Sequence, residues 1–77
     1  MYDKYRLKMV RQRKDLTQLE VGRQAGIKEA SYKNKENGLT AFSDEEKIRV
    51  AKVLGLDAES FLLIFFGGAF PIGNGLI

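Results

Sequence analysis

The sequence contains neither cysteine nor histidine. It can therefore form no disulfide bridge, and the nitrogen and sulfur ligands of an ordinary zinc site are missing. Its 77 residues make one domain near the lower size limit for folding without a covalent or metal staple, so stability has to come from a single apolar core. A chain without cysteine fits the reducing environment of the cytoplasm.

Catalytic signatures and targeting segments are lacking as well. The chain has no His or Cys to serve as base or nucleophile, no glycine-rich phosphate loop and no pair of carboxylates beside a nucleophile. The polar start Met1-Tyr2-Asp3-Lys4 has no apolar stretch behind it, which predicts no signal peptide. From these absences we expect no enzyme, no catalytic residue, no metal, no cofactor, no small-molecule ligand and no membrane association.

Lysine and arginine are concentrated in the first half of the chain. Residues 1–38 carry ten basic and five acidic side chains, a net charge of +5, whereas residues 39–77 carry three basic and five acidic ones, a net charge of −2. The first half could therefore face a polyanion such as nucleic acid. An ordinary solvated surface with an excess of lysine explains the same numbers.

Five helices are predicted from capping residues and glycine stops. Asp3 caps a first helix that runs to about residue 14, and Asp57 caps the fifth. The second and fourth helices begin at the capping boxes 17–20 and 43–46, in which a Thr or Ser is followed three residues later by Glu. Glycines predict the ends of the second, third and fourth helices, at Gly26, Gly38 and Gly55.

Apolar residues at helical spacing indicate which faces are buried. The first helix has the stripe Leu7, Val10, Arg11 and Lys14, and the fourth helix has Ile48, Ala51 and Leu54 at core spacing. No convincing strand precedes residue 61. The pattern is that of a small all-α domain.

The second and third helices, 17–25 and 28–37, are joined by only Gly26 and Ile27. Two short helices with a glycine turn are the local signature of a helix-turn-helix, in which the second helix enters the major groove of DNA. Gly22 would let the second of these helices approach closely. By geometry alone the same residues fit any helical hairpin of a small bundle.

Several motifs resemble the Xre/Cro–cI helix-turn-helix family. They are Leu7-x-x-x-Arg11, Leu16-Thr17-Gln18-x-Glu20, Ala25-Gly26-Ile27, Tyr32-x-x-x-Glu36-Asn37-Gly38 and Ile48-x-x-Ala51-x-x-Leu54-Gly55-Leu56. The form of the segment 32–38 is similar to that of small repressors from phages and mobile elements of Gram-positive bacteria. The resemblance covers about residues 5–63 and implies a five-helix, lambda repressor-like (phage-repressor-like) DNA-binding domain, to which we assign residues 1–64. The apolar residues 65–77 that follow are expected to form a C-terminal arm.

The resemblance also implies which residues contact DNA. The candidates on the reading helix are Lys28, Glu29, Ala30, Lys33 and Asn34; those that face the phosphate backbone are Gln18, Asn37, Gly38 and Thr40. Asn34 can pair with an adenine edge, Glu29 can accept from cytosine N4, and Ala30 can touch a thymine methyl. Glu29 could instead only favour the helix dipole, Asn37 could only ease the helix end, and Lys33 could be a solvated lysine.

Arg11 and Glu36 are expected to form an ion pair. Arg11 follows Leu7 by four residues and so points with the apolar stripe, where an unpaired guanidinium would be costly. In the family that the chain resembles, the matching arginine and glutamate pair, which ties the first helix to the end of the reading helix.

The last seventeen residues, 61–77, carry no charged side chain. Their glycines and Pro71 exclude a membrane-spanning helix, and part of the run completes the fifth helix. The remainder predicts a homodimer interface anchored by Phe66, Phe70 and Ile72, because so much apolar surface usually marks an interaction site. An arm folded back over its own core is the alternative.

Two classes of function fit these observations. The first is a cytoplasmic, sequence-specific transcription regulator of bacterial or phage origin, a repressor or Cro-like switch that binds a double-stranded DNA operator as a homodimer. The second is an antitoxin-type or other protein-interaction module that uses the apolar tail to bind a partner protein. Steep salt dependence of duplex binding would indicate the first class, and tail-dependent capture of a second protein would indicate the second.

Overall fold

The computed structural model describes residues 2–66, and within them the chain forms five α-helices and no strand. They are α1 (Lys4–Arg13), α2 (Gln18–Ala25), α3 (Glu29–Glu36), α4 (Asp44–Leu54) and α5 (Ala58–Phe65). The predicted all-α architecture of five helices is confirmed. Phe70, Ile72 and most of the arm expected at residues 65–77 lie outside the described residues.

The helices begin where their capping residues predict. The side chains of Asp3 and Asp57 accept from the amides of Arg6 and Ser60. Both capping boxes are complete, with reciprocal bonds between Thr17 and Glu20 at the start of α2, and between the side chains and amides of residues 43 and 46 at the start of α4. Each box satisfies two amides that have no partner within their own helix.

Four helices end in the same way, on a residue with left-handed backbone followed by a leucine or isoleucine. The left-handed residues are Asp15, Gly26, Gly38 and Gly55, with φ between 57° and 83°. In each case the amide of the following residue donates to a carbonyl five residues back, as in Leu16 to Arg11 and Ile27 to Gly22. This arrangement is the Schellman motif, which satisfies carbonyls left open at a helix end.

At the end of α1 the left-handed position is occupied by Asp15, whereas the other three helices have glycine there. A left-handed residue other than glycine costs about 1–2 kcal/mol, part of which glycine gives back through its greater freedom in the unfolded chain. Replacing Asp15 by glycine is therefore expected to stabilise the fold by about 0.5–1 kcal/mol. A urea titration should show a higher midpoint with an unchanged slope. Asp15→Ala is the control, because it removes the carboxylate and keeps the strain; an equal gain in both variants would contradict the explanation.

The core lies between the helices, with α2 packed on α3 and α4, and α1 packed on α3 and α5. Its buried apolar side chains are Leu7, Val21, Ala25, Ile27, Tyr32, Phe42, Val50, Leu54, Ile64 and Phe65. The prediction that Ile48 belongs to the core is wrong, since this side chain is 50% exposed. Val50 and Leu54, one turn apart, carry the inner face of α4 instead, and Ile48 borders an open groove between α4 and α5.

The turn between α2 and α3 is close-packed at Gly22. A Cβ atom at this position would lie 2.6 Å from the carbonyl oxygen of Ile27, well inside contact distance. Ile27 donates its amide to the Gly22 carbonyl at 2.7 Å, so the chain returns over this residue immediately after α2. The expected close approach at Gly22 is confirmed, and it fixes how near α3 lies to α2.

Candidate nucleic-acid interface

The helix-turn-helix presents one polar face of α3 to solvent. Glu29, Ala30, Lys33 and Asn34 are all exposed, and they share this face because they are spaced by one and four residues. Tyr32 and Glu36 form the opposite face and are completely buried. The structure thus brings together four of the predicted reading-helix residues on a surface that the core leaves open.

Lys28 is the N-cap of α3, and it contributes no side-chain cap. Its ammonium group has only donors, so the first amides of α3 remain open to solvent or to an external acceptor. Neither Lys28 nor Lys33 forms an ion pair within residues 2–66. Both positive charges therefore remain available to a polyanion on this side of the domain.

Gln18 lies at the start of α2, as the phosphate-contact prediction requires, but its side chain is partly engaged. The Nε2 atom donates to Oε1 of Glu36 at 2.9 Å, and the residue is half-buried. The backbone amides of Gln18 and Leu19 belong to the first turn of α2 and have no intrahelical acceptor. A phosphate contact at this end of α2 would be made by those two backbone amides and by the second N–H of the Gln18 side-chain amide.

The loop after α3 contains the other residues predicted to face phosphate. Asn37 is half-buried, whereas Gly38 and Thr40 are exposed. The amides of Leu39 and Thr40 both donate to the carbonyl of Asn34, at 2.8 and 3.4 Å, which turns the loop away from the axis of α3. The four residues 37–40 thus form an edge beside the reading helix that combines polar and small residues with one apolar side chain, Leu39, which is 73% exposed.

Beneath this surface Glu36 is the centre of a buried hydrogen-bond network. Arg11 donates to both carboxylate oxygens, from Nε at 2.8 Å and from NH2 at 3.1 Å, which confirms the predicted pair. The Tyr32 hydroxyl donates to Oε2 at 2.8 Å, in addition to the bond from Gln18. The third Arg11 donor, NH1, reaches the Leu16 carbonyl at 2.8 Å. One carboxylate therefore joins α1, α2 and α3.

The network determines the protonation of its members. Burial alone raises the pKa of Glu36, but the hydrogen bonds from Arg11, Gln18 and Tyr32 outweigh it and hold the pKa below the ordinary glutamate value. The pKa of Tyr32 is raised, first by burial and then by the neighbouring Glu36 charge. At neutral pH Glu36 is therefore a carboxylate and Tyr32 a neutral phenol, whose proton remains a donor to Glu36.

The lowered pKa of Glu36 predicts an acid-labile fold. A carboxyl group with a lower pKa in the folded than in the unfolded state contributes stability above its unfolded value of about 4.5, and this contribution disappears as the pH falls through the lower folded value. We expect the free energy of unfolding to decrease below that pH, and to decrease less steeply in Glu36→Gln. Urea titrations of both proteins between neutral and acid pH measure the difference. If the free energy of unfolding falls equally steeply with pH in both proteins, Glu36 does not cause the acid lability and the exposed carboxylates do.

Several contacts that hold the helices together were not predicted from the sequence. Arg49 of α4 donates from Nε to the carbonyl of Ala25 at 2.7 Å and pairs with Glu45, so it closes the end of α2. The Tyr2 hydroxyl donates to the Glu36 carbonyl at 3.4 Å. The Tyr32 hydroxyl donates to the Glu36 carboxylate within one turn of α3. The spacing of Tyr32 and Glu36 was visible in the sequence, but nothing local indicates the contacts of Tyr2 and Arg49.

Among residues 2–66, no cluster of acidic side chains is suited to hold a metal ion. In the same part of the chain, none of the helices combines the length and the apolar character needed to cross a bilayer.

Comparison with known proteins gives one match. The family model described as helix-turn-helix matches residues 7–61, which is more than half of the chain and includes α2, the turn and α3. The comparison with curated proteins returns no match, and neither does the comparison with solved structures. The matched region, together with the observed five-helix fold, establishes that the chain belongs to the helix-turn-helix family of Xre/Cro–cI type, a family of DNA-binding regulators.

Proposed function

We propose that this protein is a sequence-specific transcription regulator, a repressor or Cro-like switch, that reads the major groove of double-stranded DNA with α3. The observation that carries the proposal is the division of α3 into two faces. Tyr32 and Glu36 are locked into the core, while Glu29, Lys33 and Asn34 are exposed and polar. A reading helix needs this combination, because base edges are distinguished only by side chains held in a fixed register.

Each exposed side chain has a matching base edge. Asn34 can donate to N7 and accept from N6 of an adenine, and Glu29 can accept from N4 of a cytosine. Ala30 can pack on a thymine methyl, and Lys28 and Lys33 can donate to guanine or to the adjacent phosphates. The edge formed by residues 37–40 and the first turn of α2 would hold the backbone on either side.

The Glu36 network supports this function by fixing the register of α3. Arg11 and Gln18 hold the end of α3 against α1 and α2 through bonds of 2.8–3.1 Å. A reading helix that is already rigid loses little conformational entropy when it binds. The network therefore acts by positioning the reading helix, and we assign Arg11 and Glu36 no base contact.

We further propose that the protein acts as a homodimer, in the cytoplasm of a bacterium, through its uncharged C-terminal segment. The described residues support this in one place. Phe66 packs on Phe61, with ring centroids 6.3 Å apart, and Phe61 lines an open groove of about 280 Å³ between α4 and α5. Ile48, half-exposed, lies on the same groove. An apolar surface thus extends from Phe66, where the C-terminal segment begins, along the groove to Ile48.

Selection of bound duplexes from a random library tests the proposed function. We expect enrichment of a two-fold symmetric site whose half-sites lie about one helical turn apart, because a dimer presents two reading helices on the same side of the duplex. Enrichment of a single half-site would indicate a monomeric reader. Failure to enrich any sequence would contradict sequence-specific reading.

Asn34→Ala is expected to weaken binding to the selected site by about 1–3 kcal/mol and to relax the preference at one base pair in each half-site. The reason is that the alanine cannot make the paired contacts to adenine. Lys33→Ala, as a phosphate contact, should weaken selected and random duplexes more evenly. Fluorescence anisotropy with both duplexes measures the difference, and the control is Lys14→Ala at the exposed end of α1. Equal losses on both duplexes for Asn34→Ala would exclude it from base reading.

A further inference from the structure

A second polar surface lies at the start of α1, outside the helix-turn-helix. A cleft of about 250 Å³ separates the first two turns of α1 from the end of α3, and it is lined by Lys4, Tyr5, Lys8, Glu36 and Asn37. Lys4 and Lys8 are one helical turn apart and therefore share the face of α1 that borders the cleft. None of the DNA contacts proposed above includes a residue of α1.

The cleft is positively charged. Glu36 contributes to its wall, but the carboxylate is turned inward, fully buried and bonded to Arg11, Gln18 and Tyr32. Lys8 has no ion-pair partner within the part of the chain that the structure describes. Two lysines therefore line the cleft, whereas the carboxylate of its one acidic residue is already bonded inside the core.

Position links the cleft to the loop that is proposed to follow the DNA backbone. The Lys4 ammonium donates to the carbonyl of Asn37 at 3.5 Å, and the Lys4 stem passes 3.5 Å from the point where Gly38 would carry a Cβ atom. Lys4 thus lies across the start of the 37–40 edge. Asn37 belongs both to this edge and to the lining of the cleft, so the two surfaces are continuous.

We propose that this cleft binds a phosphodiester group of the DNA duplex, with Lys8 as the principal contact and Lys4 beside it. The inference rests on the proposed function and extends its footprint to the first helix. The Tyr5 hydroxyl, on a side chain that is 74% exposed, and the Asn37 amide add neutral donors of the kind that bind phosphate oxygens. The ligand is a phosphate oxygen carried by the backbone of the duplex, so the contact adds affinity without sequence preference.

The test is the salt dependence of duplex binding. The slope of log K against log salt concentration is negative, and each lost phosphate contact makes it less negative by about 0.9 for duplex DNA. We expect Lys8→Ala to make the slope shallower by about this amount on both the selected and the mixed-sequence duplex. The double variant with Lys4→Ala and Lys8→Ala should make it shallower by about twice as much. The matched control is Lys14→Ala, an exposed lysine at the C-terminal end of α1 that lines neither the cleft nor the groove between α4 and α5. Circular dichroism and thermal unfolding check that each variant is folded.

The outcomes separate this inference from the proposed function. If the wild-type protein binds no duplex, the proposed function itself is wrong. If wild type binds, and Lys33→Ala makes the slope shallower while Lys8→Ala behaves as Lys14→Ala, only the cleft proposal is wrong. Inorganic phosphate alone provides the last arm: shifts of the Tyr5 and Lys8 amide resonances that saturate with free phosphate and do not appear with duplex would identify a small-anion site, and would overturn the proposal.

Discussion

Removal of Glu36 is expected to destabilise the fold by about 3–5 kcal/mol, the largest effect of any single substitution considered for this protein. Glu36→Ala leaves the Arg11 guanidinium, which is almost completely buried, without its counterion and also removes the acceptor of Tyr32 and Gln18. Arg11→Ala should be similarly costly, because it leaves the buried carboxylate facing only neutral donors. Urea or thermal unfolding measures both losses.

A double-mutant cycle shows whether the two losses have the same cause. The variant without both side chains should be far less destabilised than the sum of the single variants, since it buries no unpaired charge. The pair of Asp44 and Lys47 on α4 is the control, and its coupling should not exceed about 1 kcal/mol because the Asp44 side chain is 98% exposed. Additive losses for Arg11 and Glu36 would mean that the pair contributes no specific interaction in solution.

Truncation after Phe66 is expected to give a folded monomer whose affinity for the selected site falls by about three orders of magnitude or more. One helix-turn-helix reads only a few base pairs, so specific affinity at cellular salt depends on two half-sites bound together. Residues 67–77 are proposed to hold the two copies together, whereas Phe66 already packs on Phe61 and under the Lys47 ammonium. Ending the chain after Phe66 keeps those contacts. Sedimentation equilibrium and anisotropy measure the two expected changes.

Full-length chains with Phe70→Ser and Ile72→Ser provide the matched control, because they keep the length and remove the apolar anchors. They should also be monomeric and should bind the selected site weakly. A truncated chain that remains dimeric with full affinity would place the interface elsewhere. A chain that is monomeric at every length, and whose C-terminal segment binds a different purified protein tightly, would favour the interaction-module function.

The sequence by itself determined where the helices begin and end. The capping box that begins α2 joins Thr17 to Glu20, three residues later. The end of α2 depends on the left-handed backbone of a single residue, Gly26. Such signals act within a single turn, so they do not depend on the rest of the fold. The exposed face of α3 follows from the same local regularity. The pairing of Arg11 with Glu36 was predicted from the family resemblance.

Only the tertiary structure decided which distant groups meet. Gln18 and Glu36 are 18 residues apart, and Arg49 lies 24 residues from the Ala25 carbonyl that it caps. Ile48 follows the spacing of the buried positions and is nevertheless half-exposed, because the groove between α4 and α5 remains open beside it. Contacts of this kind depend on the angles and distances at which helices pack, and those are set by all the buried side chains together.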